Sequence, residues 1–258
     1  MAMSMSMSVP RMLSLGRAEL TLLGRNKMAL YVSLLMPVFM VWAMRRAIGQ
    51  FDLGKAGMSV NEVALTGAFG YILLFAVYQN LVSAYVTRRE ELVLKRLRTG
   101  ETSDAEILTG TALPSVAVAL AQCVLLVVAG VSWLDLRAVE RPDLMAAGLL
   151  LGLAMSIALA AVTTSWAKTV ESAQLVTSPL MLISVLGSGL MVPLEVMPDT
   201  MADVCKLLPL TPVVQLVRGG WLGGMDAHDA VGAIITGIAW TIIAGYSTRR
   251  WFRWEPRR

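Results

Sequence analysis

The segment Arg88–Glu106, RREELVLKRLRTGETSDAE, stands between two long apolar runs, and its reading decides how the chain is laid out. A strongly charged stretch flanked on both sides by apolar segments is a short aqueous element held between membrane-crossing helices. Glu91 precedes Lys95 by four residues, the favourable order for a helical ion pair, and Leu92, Leu94 and Leu97 supply apolar contact, so the spacing predicts a short helix. Thr99 and Gly100 end it, because glycine accepts the left-handed conformation past a helix terminus. Ser103 with Glu106 then forms an S-x-x-E box that opens the next helix. Two readings of the element stand side by side: a solvated positive-inside loop, or a docking surface for a soluble partner.

Outward from this segment the chain is apolar. Of 258 residues, 56% are hydrophobic and 16% charged, and the mean hydropathy is +0.66, which excludes a soluble domain of this length. The fold class is an all-α polytopic membrane protein. Six spans are expected, at about 28–44, 62–86, 105–133, 144–166, 173–192 and 230–246, within one membrane domain covering 10–258. Residues 1–9 form a Met/Ser leader expected to be disordered, and Pro10–Lys27 has one leucine-rich and one arginine-bearing side, the pattern of an interfacial helix. A signal peptide fits poorly, since the next apolar run ends at Arg45 and Arg46 without a small-residue cleavage site. Cys123 and Cys205 are poorly placed to pair.

Within the spans, Pro37 and Pro114 are expected to bend their helices. Tyr71, Phe75, Tyr78, Val82 and Tyr85 follow at steps of four, three, four and three, an aromatic seam that serves either as ordinary helix packing or as a candidate substrate path. Gly148, Gly152, Ser156, Ala160 and Thr164 repeat every four residues and give a flat ridge for close helix approach. Ser188 lacks a nucleophile elbow, and the one histidine, His228, lies in a loop, so packing or bending explains that serine better than hydrolysis. Pro193–His228 is too interrupted to span and too apolar to float, and its pieces read as helices dipping part-way into the membrane.

With both termini inside, the inner segments hold 15 of the 22 Lys and Arg residues, which orients the protein with N and C termini in the cytoplasm. Arg45 and Arg46 stand on the outer side as an exception. No span carries an ionisable side chain near its centre for proton coupling, and the chain has no G-x-x-x-x-G-K-[ST] loop, no H-E-x-x-H, no metal-spaced cysteines and no dinucleotide fingerprint. No catalytic residue, metal site or nucleic-acid surface is expected. The driving force must then enter through another chain, and Arg88–Asp104 is the place for it to push.

Three features together resemble the permease subunits of ABC-2 type exporters, the family that includes the daunorubicin and doxorubicin resistance permeases. They are R-E-x-x-x-x-K-R-L-R-T-G at Arg89–Gly100; G-x-x-x-P-L-E-x-x-P at Gly189–Pro198 with L-P-L-T-P at Leu208–Pro212; and Val217–Arg218 leading into Gly219 and Gly220. The resemblance covers nearly the whole chain. It implies a homodimer of six-span subunits in membrane lipid, bound to two separately encoded cytosolic ATPase subunits that hold ATP and Mg, with no cofactor in this chain. Arg89, Glu90, Glu91, Leu94, Lys95, Arg96, Leu97, Arg98, Thr99 and Gly100 would form the coupling helix on the ATPase. Pro193, Leu194, Glu195, Pro198, Pro209 and Pro212 would belong to re-entrant helices gating the extracellular exit. The implied cargo is an amphipathic drug or antibiotic, with lipid-linked polysaccharide or lipid as the alternative. Outside transport, a membrane scaffold or passive channel would leave the charged loop without a partner.

Overall fold

The computed structural model describes residues 27–49, 53, 57–99, 103–134, 136–252 and 254. The leader, most of the expected interfacial helix at Pro10–Lys27, and Gly100 lie outside these residues. Among the described residues the chain is helical, without strands. The helices are α1 (Lys27–Ile48), α2 (Val60–Glu90), α3 (Val93–Arg98), α4 (Asp104–Trp133), α5 (Pro142–Thr164), α6 (Val170–Gly187), α7 (Asp199–Lys206), α8 (Thr211–Leu222) and α9 (Ala227–Trp251). Five of them, α2, α4, α5, α6 and α9, are long and apolar enough to cross a membrane. The 22 residues of α1 reach about 33 Å at 1.5 Å each, the length of a crossing helix.

Local chemistry sets the starts of these helices. Ser103 accepts from the Glu106 amide while Glu106 accepts from the Ser103 amide at 2.7 Å, so the expected capping box opens α4. Ser59 with Glu62 makes a second box at the start of α2, and Thr169 with Ser172 a third at the start of α6. The last turn of α1 contains Arg45 and Arg46, and the Arg46 guanidinium sits 5.5 Å from the Trp42 ring centroid. Cations there complement the helix dipole, a local reason for two arginines in that turn.

Two expectations about the spans are corrected. The run at 173–192 is not one helix: α6 ends at Gly187, and residues 188–192 bend away. Gly189 lies at φ 76, a left-handed conformation that terminates a helix, and Pro193 follows. The aromatic seam is also broken. Leu73–Gln79 within α2 winds as a wider π-helix, and the extra residue in that turn shifts the register that steps of three and four would have kept.

The segment between α6 and α9 folds back on itself. α7 and α8 meet at 102°, and with 8 and 12 residues neither arm crosses a membrane alone. Pro209 and Pro212 enforce the break. The carbonyls at the end of α7 are satisfied from elsewhere, Cys205 by Thr211 Oγ1 at 2.6 Å and Leu207 by Trp240 Nε1 at 2.9 Å. Nearly all of α8 is buried, packed chiefly on α5 and also on α2 and α9. The small-residue ridge of α5 is the receiving surface: Gly148, Gly152, Ser156, Ala160 and Thr164 are all buried, with Leu216 and Val217 beside Gly148 and Val213 beside Gly152. Cys123 and Cys205 are buried and unpaired with each other.

Candidate functional site

At the basic end of the bundle, α2 ends at Glu90 and Leu92 takes a left-handed conformation, φ 60, before α3 begins at Val93. The helical step from Glu91 to Lys95 is therefore interrupted, because Glu91 caps α2 and does not belong to α3. Leucine is rarely left-handed, and such an outlier points to a site whose shape matters more than local comfort. The turn also sorts the side chains. Leu94 is fully buried and anchors α3, Leu97 is half-buried, and Glu90, Glu91, Leu92, Lys95, Arg96, Arg98 and Thr99 are exposed. Exposed Leu92 gives this charged surface an apolar centre.

Arg89 departs from expectation. It is 1% exposed and so offers nothing to a docking partner. Its guanidinium forks onto two main-chain carbonyls at the α5–α6 connection, Thr164 at 2.9 Å and Ala167. Thr164 ends α5, so Arg89 supplies the cation and donors that the last carbonyls of a helix lack. The C-terminal segment closes the same end. Arg98 pairs with Asp104 at 3.1 Å and lies 4.9 Å from the Trp254 ring centroid; Trp254 contacts Phe252, which meets Tyr85 edge-on. The basic end is thus tied through Arg89, in the last turn of α2, to α5 and α6, and through Arg98 of α3 to α4 and the segment after α9.

At the opposite end, the bent α7–α8 pair covers the bundle and borders an open cleft of about 1080 Å³. Of the residues implied in a gate, Pro193 and Leu194 are buried, Glu195 and Pro198 are exposed at the rim, and Pro209 and Pro212 are buried at the bend. A basic-end helix between the second and third crossings, with a re-entrant pair before the last, is a specific combination. The family model described as ABC-2 type transporter matches residues 11–222. The chain belongs to the ABC-2 type transporter family. It is the membrane-spanning permease component of an ABC-type transporter, a component that carries no ATPase site of its own. No curated protein matches the sequence.

The four candidate path residues of this ABC-2 permease do not form one surface. Tyr71 stacks on Phe75, centroids 6.0 Å apart, and the two line a largely apolar cleft of about 210 Å³ between α1, α2 and α4, with Met36, Met40 and Gln122. Tyr78 and Tyr85 point instead into the packed interior, where Tyr78 shares a hydrogen bond with Thr163 Oγ1 at 3.1 Å and Tyr85 donates to the Leu108 carbonyl at 2.9 Å. Burying a phenol demands such a partner. Tyr78→Phe and Tyr85→Phe should each cost about 0.5–1.5 kcal/mol for the lost bond, measured as a fall in melting temperature. Phe75→Ala, at a site 42% exposed, should leave the melt nearly unchanged and alter only cargo handling.

Sequence reasoning missed one buried cation. Arg218 on α8 is almost fully buried; its Nε donates to Thr66 of α2 and a terminal nitrogen to the Gly189 carbonyl. The Val217–Arg218 signature pointed to the position but not to its depth. An arginine in an otherwise apolar re-entrant segment is itself the available signal, because such a charge persists only where partners surround it.

Proposed function

We propose that this permease exports an amphipathic small molecule, such as a drug or antibiotic, using ATP and Mg bound by a separate cytosolic ATPase. Two ATPase subunits would act on two permease copies, with both termini of each permease in the cytoplasm. The observation that carries this reading is the division of labour from the end of α2 through α3. Leu94 of α3 and the Arg89 fork in the last turn of α2 are buried anchors, while Glu90, Glu91, Leu92, Lys95 and Arg96 present a mixed charged surface around one exposed leucine. An exposed apolar centre with a charged rim is what a protein partner recognises. A push on that surface would reach α5 and α6 through Arg89, and would alternate the bundle between inward and outward openings.

Leu92→Asp is expected to reduce co-purification of the ATPase at least tenfold without lowering the melting temperature, since Leu92 is exposed and aspartate tolerates the left-handed turn. Co-purification equal to wild type would contradict the docking role. Export of lipid or lipid-linked polysaccharide is the second reading, favoured by the polar character of the cleft at the other end, which suits a head group better than a flat drug. Vesicles offered a labelled drug and a labelled lipid carrier separate the two.

A further inference from the structure

The cleft beneath α7 and α8 contains donors that packing alone does not use. Arg218 commits Nε to Thr66 Oγ1 at 3.3 Å and Nη2 to the Gly189 carbonyl, while Nη1, among the described residues, pairs with Glu195 Oε2 at 4.0 Å, beyond hydrogen-bond distance. Nη1 lies against Gly189, where an added Cβ would stand 3.7 Å from it. The preceding residue, Ser188, is fully buried and lines the same cleft, and its Oγ has no hydrogen-bond partner among the described residues. Leaving a buried hydroxyl unsatisfied is costly, so its persistence points to a group that arrives from outside.

We infer that Arg218 Nη1 and Ser188 Oγ bind the anionic oxygen group of an amphiphile, a phosphodiester or a carboxylate, and that Glu195 is the internal carboxylate exchanged for it. A guanidinium edge and a hydroxyl on the lining of one cleft can each meet an oxygen of one such group. Glu195 is half-exposed and held loosely, so it returns to water at little cost. It belongs to the short turn Leu194–Val196 that leads into α7, and the exchange therefore removes a tie between that turn and α8. Glu62, Glu140, Asp199 and Asp229 also line the cleft, against Arg137 and Lys206, and this net negative lining disfavours a free multivalent anion. The group consequently enters as a single charge attached to an apolar body. The source of that body rests on the export reading above; the binding itself does not require the ATPase.

The test uses the full-length permease in a maltoside detergent, which carries no phosphate, titrated calorimetrically with hexylphosphocholine, hexyltrimethylammonium and inorganic phosphate. Hexylphosphocholine is expected to bind saturably, hexyltrimethylammonium not at all, and inorganic phosphate at least tenfold more weakly. Ser188→Ala removes a hydroxyl with no hydrogen bond among the described residues, so it should weaken hexylphosphocholine about three- to tenfold while the melting temperature stays the same or rises. Glu195→Gln should tighten binding by a similar factor. Absence of hexylphosphocholine binding, equal binding of hexyltrimethylammonium, or Ser188→Ala binding like wild type would each overturn the inference. Inorganic phosphate binding as tightly as the ester would overturn the amphiphile and leave a free-anion site. ATP-driven transport that survives alongside failed binding would sink this inference and leave the export reading standing.

Discussion

Arg89→Ala is expected to lower the stability of the permease by on the order of 3 kcal/mol and to uncouple ATP hydrolysis from transport. Two charge-assisted bonds are lost, each worth about 1.5–3 kcal/mol, and the Thr164 and Ala167 carbonyls are left buried without their donors. Since this fork joins the end of α2, just before α3, to the α5–α6 connection, on the export reading its loss would also free α3 from the helices it is proposed to move. Melting curves in detergent check the first effect, and the ratio of ATP turned over to cargo moved checks the second. Arg89→Lys should recover only part of either, because an ammonium keeps the charge but cannot reach both carbonyls in a planar fork. Full recovery by lysine would show that charge alone matters there.

Gly67→Ala is expected to be nearly as damaging, despite adding one methyl group in the middle of a helix. A Cβ at Gly67 would overlap the Leu190 carbonyl oxygen and crowd the end of Met44, and the first of these is backbone that cannot swing aside. The bend after α6 would have to move off α2, taking with it Gly189 and the Arg218 contacts that close the re-entrant pair. Overpacking of this kind costs about 1–3 kcal/mol or more. Gly232→Ala is the control. Nothing stands within 4 Å of a Cβ there, so helix propensity alone applies and the change should be neutral or stabilising by up to about 1 kcal/mol. Equal melting temperatures for the two variants would mean that the bend after α6 does not rest on α2 at Gly67.

Much of the layout was legible from the residues because its causes are local. The Ser103–Glu106 box opens α4 through atoms three residues apart, the α5 ridge needs only small residues at every fourth position, and Pro209 and Pro212 announce a break wherever they stand. What escaped reading depends on distant partners. Nothing in LLFAVYQ distinguishes a π-helix from an α-helix, so spacing alone carries the line of Tyr71 and Phe75 on to Tyr78 and Tyr85, whereas the wider turn and bonds to Thr163 and Leu108 direct them inward. Arg89 sits in a charge run, where solvent exposure is the ordinary outcome; its burial is decided by carbonyls 75 and 78 residues away. The same holds for Arg218, whose bond to Thr66 spans 152 residues. The residues expected at a coupling helix and a gate therefore divide into those that anchor and those that face outward, a division that spacing alone does not draw.

The most direct measurement is cargo accumulation in vesicles that hold the permease with or without its ATPase partner, ATP being supplied on the side bearing α3. The account predicts accumulation only when the partner is present, only with ATP on that side, and loss of it in Leu92→Asp. Accumulation by the permease alone, or with ATP acting from the side of α7 and α8, would contradict it.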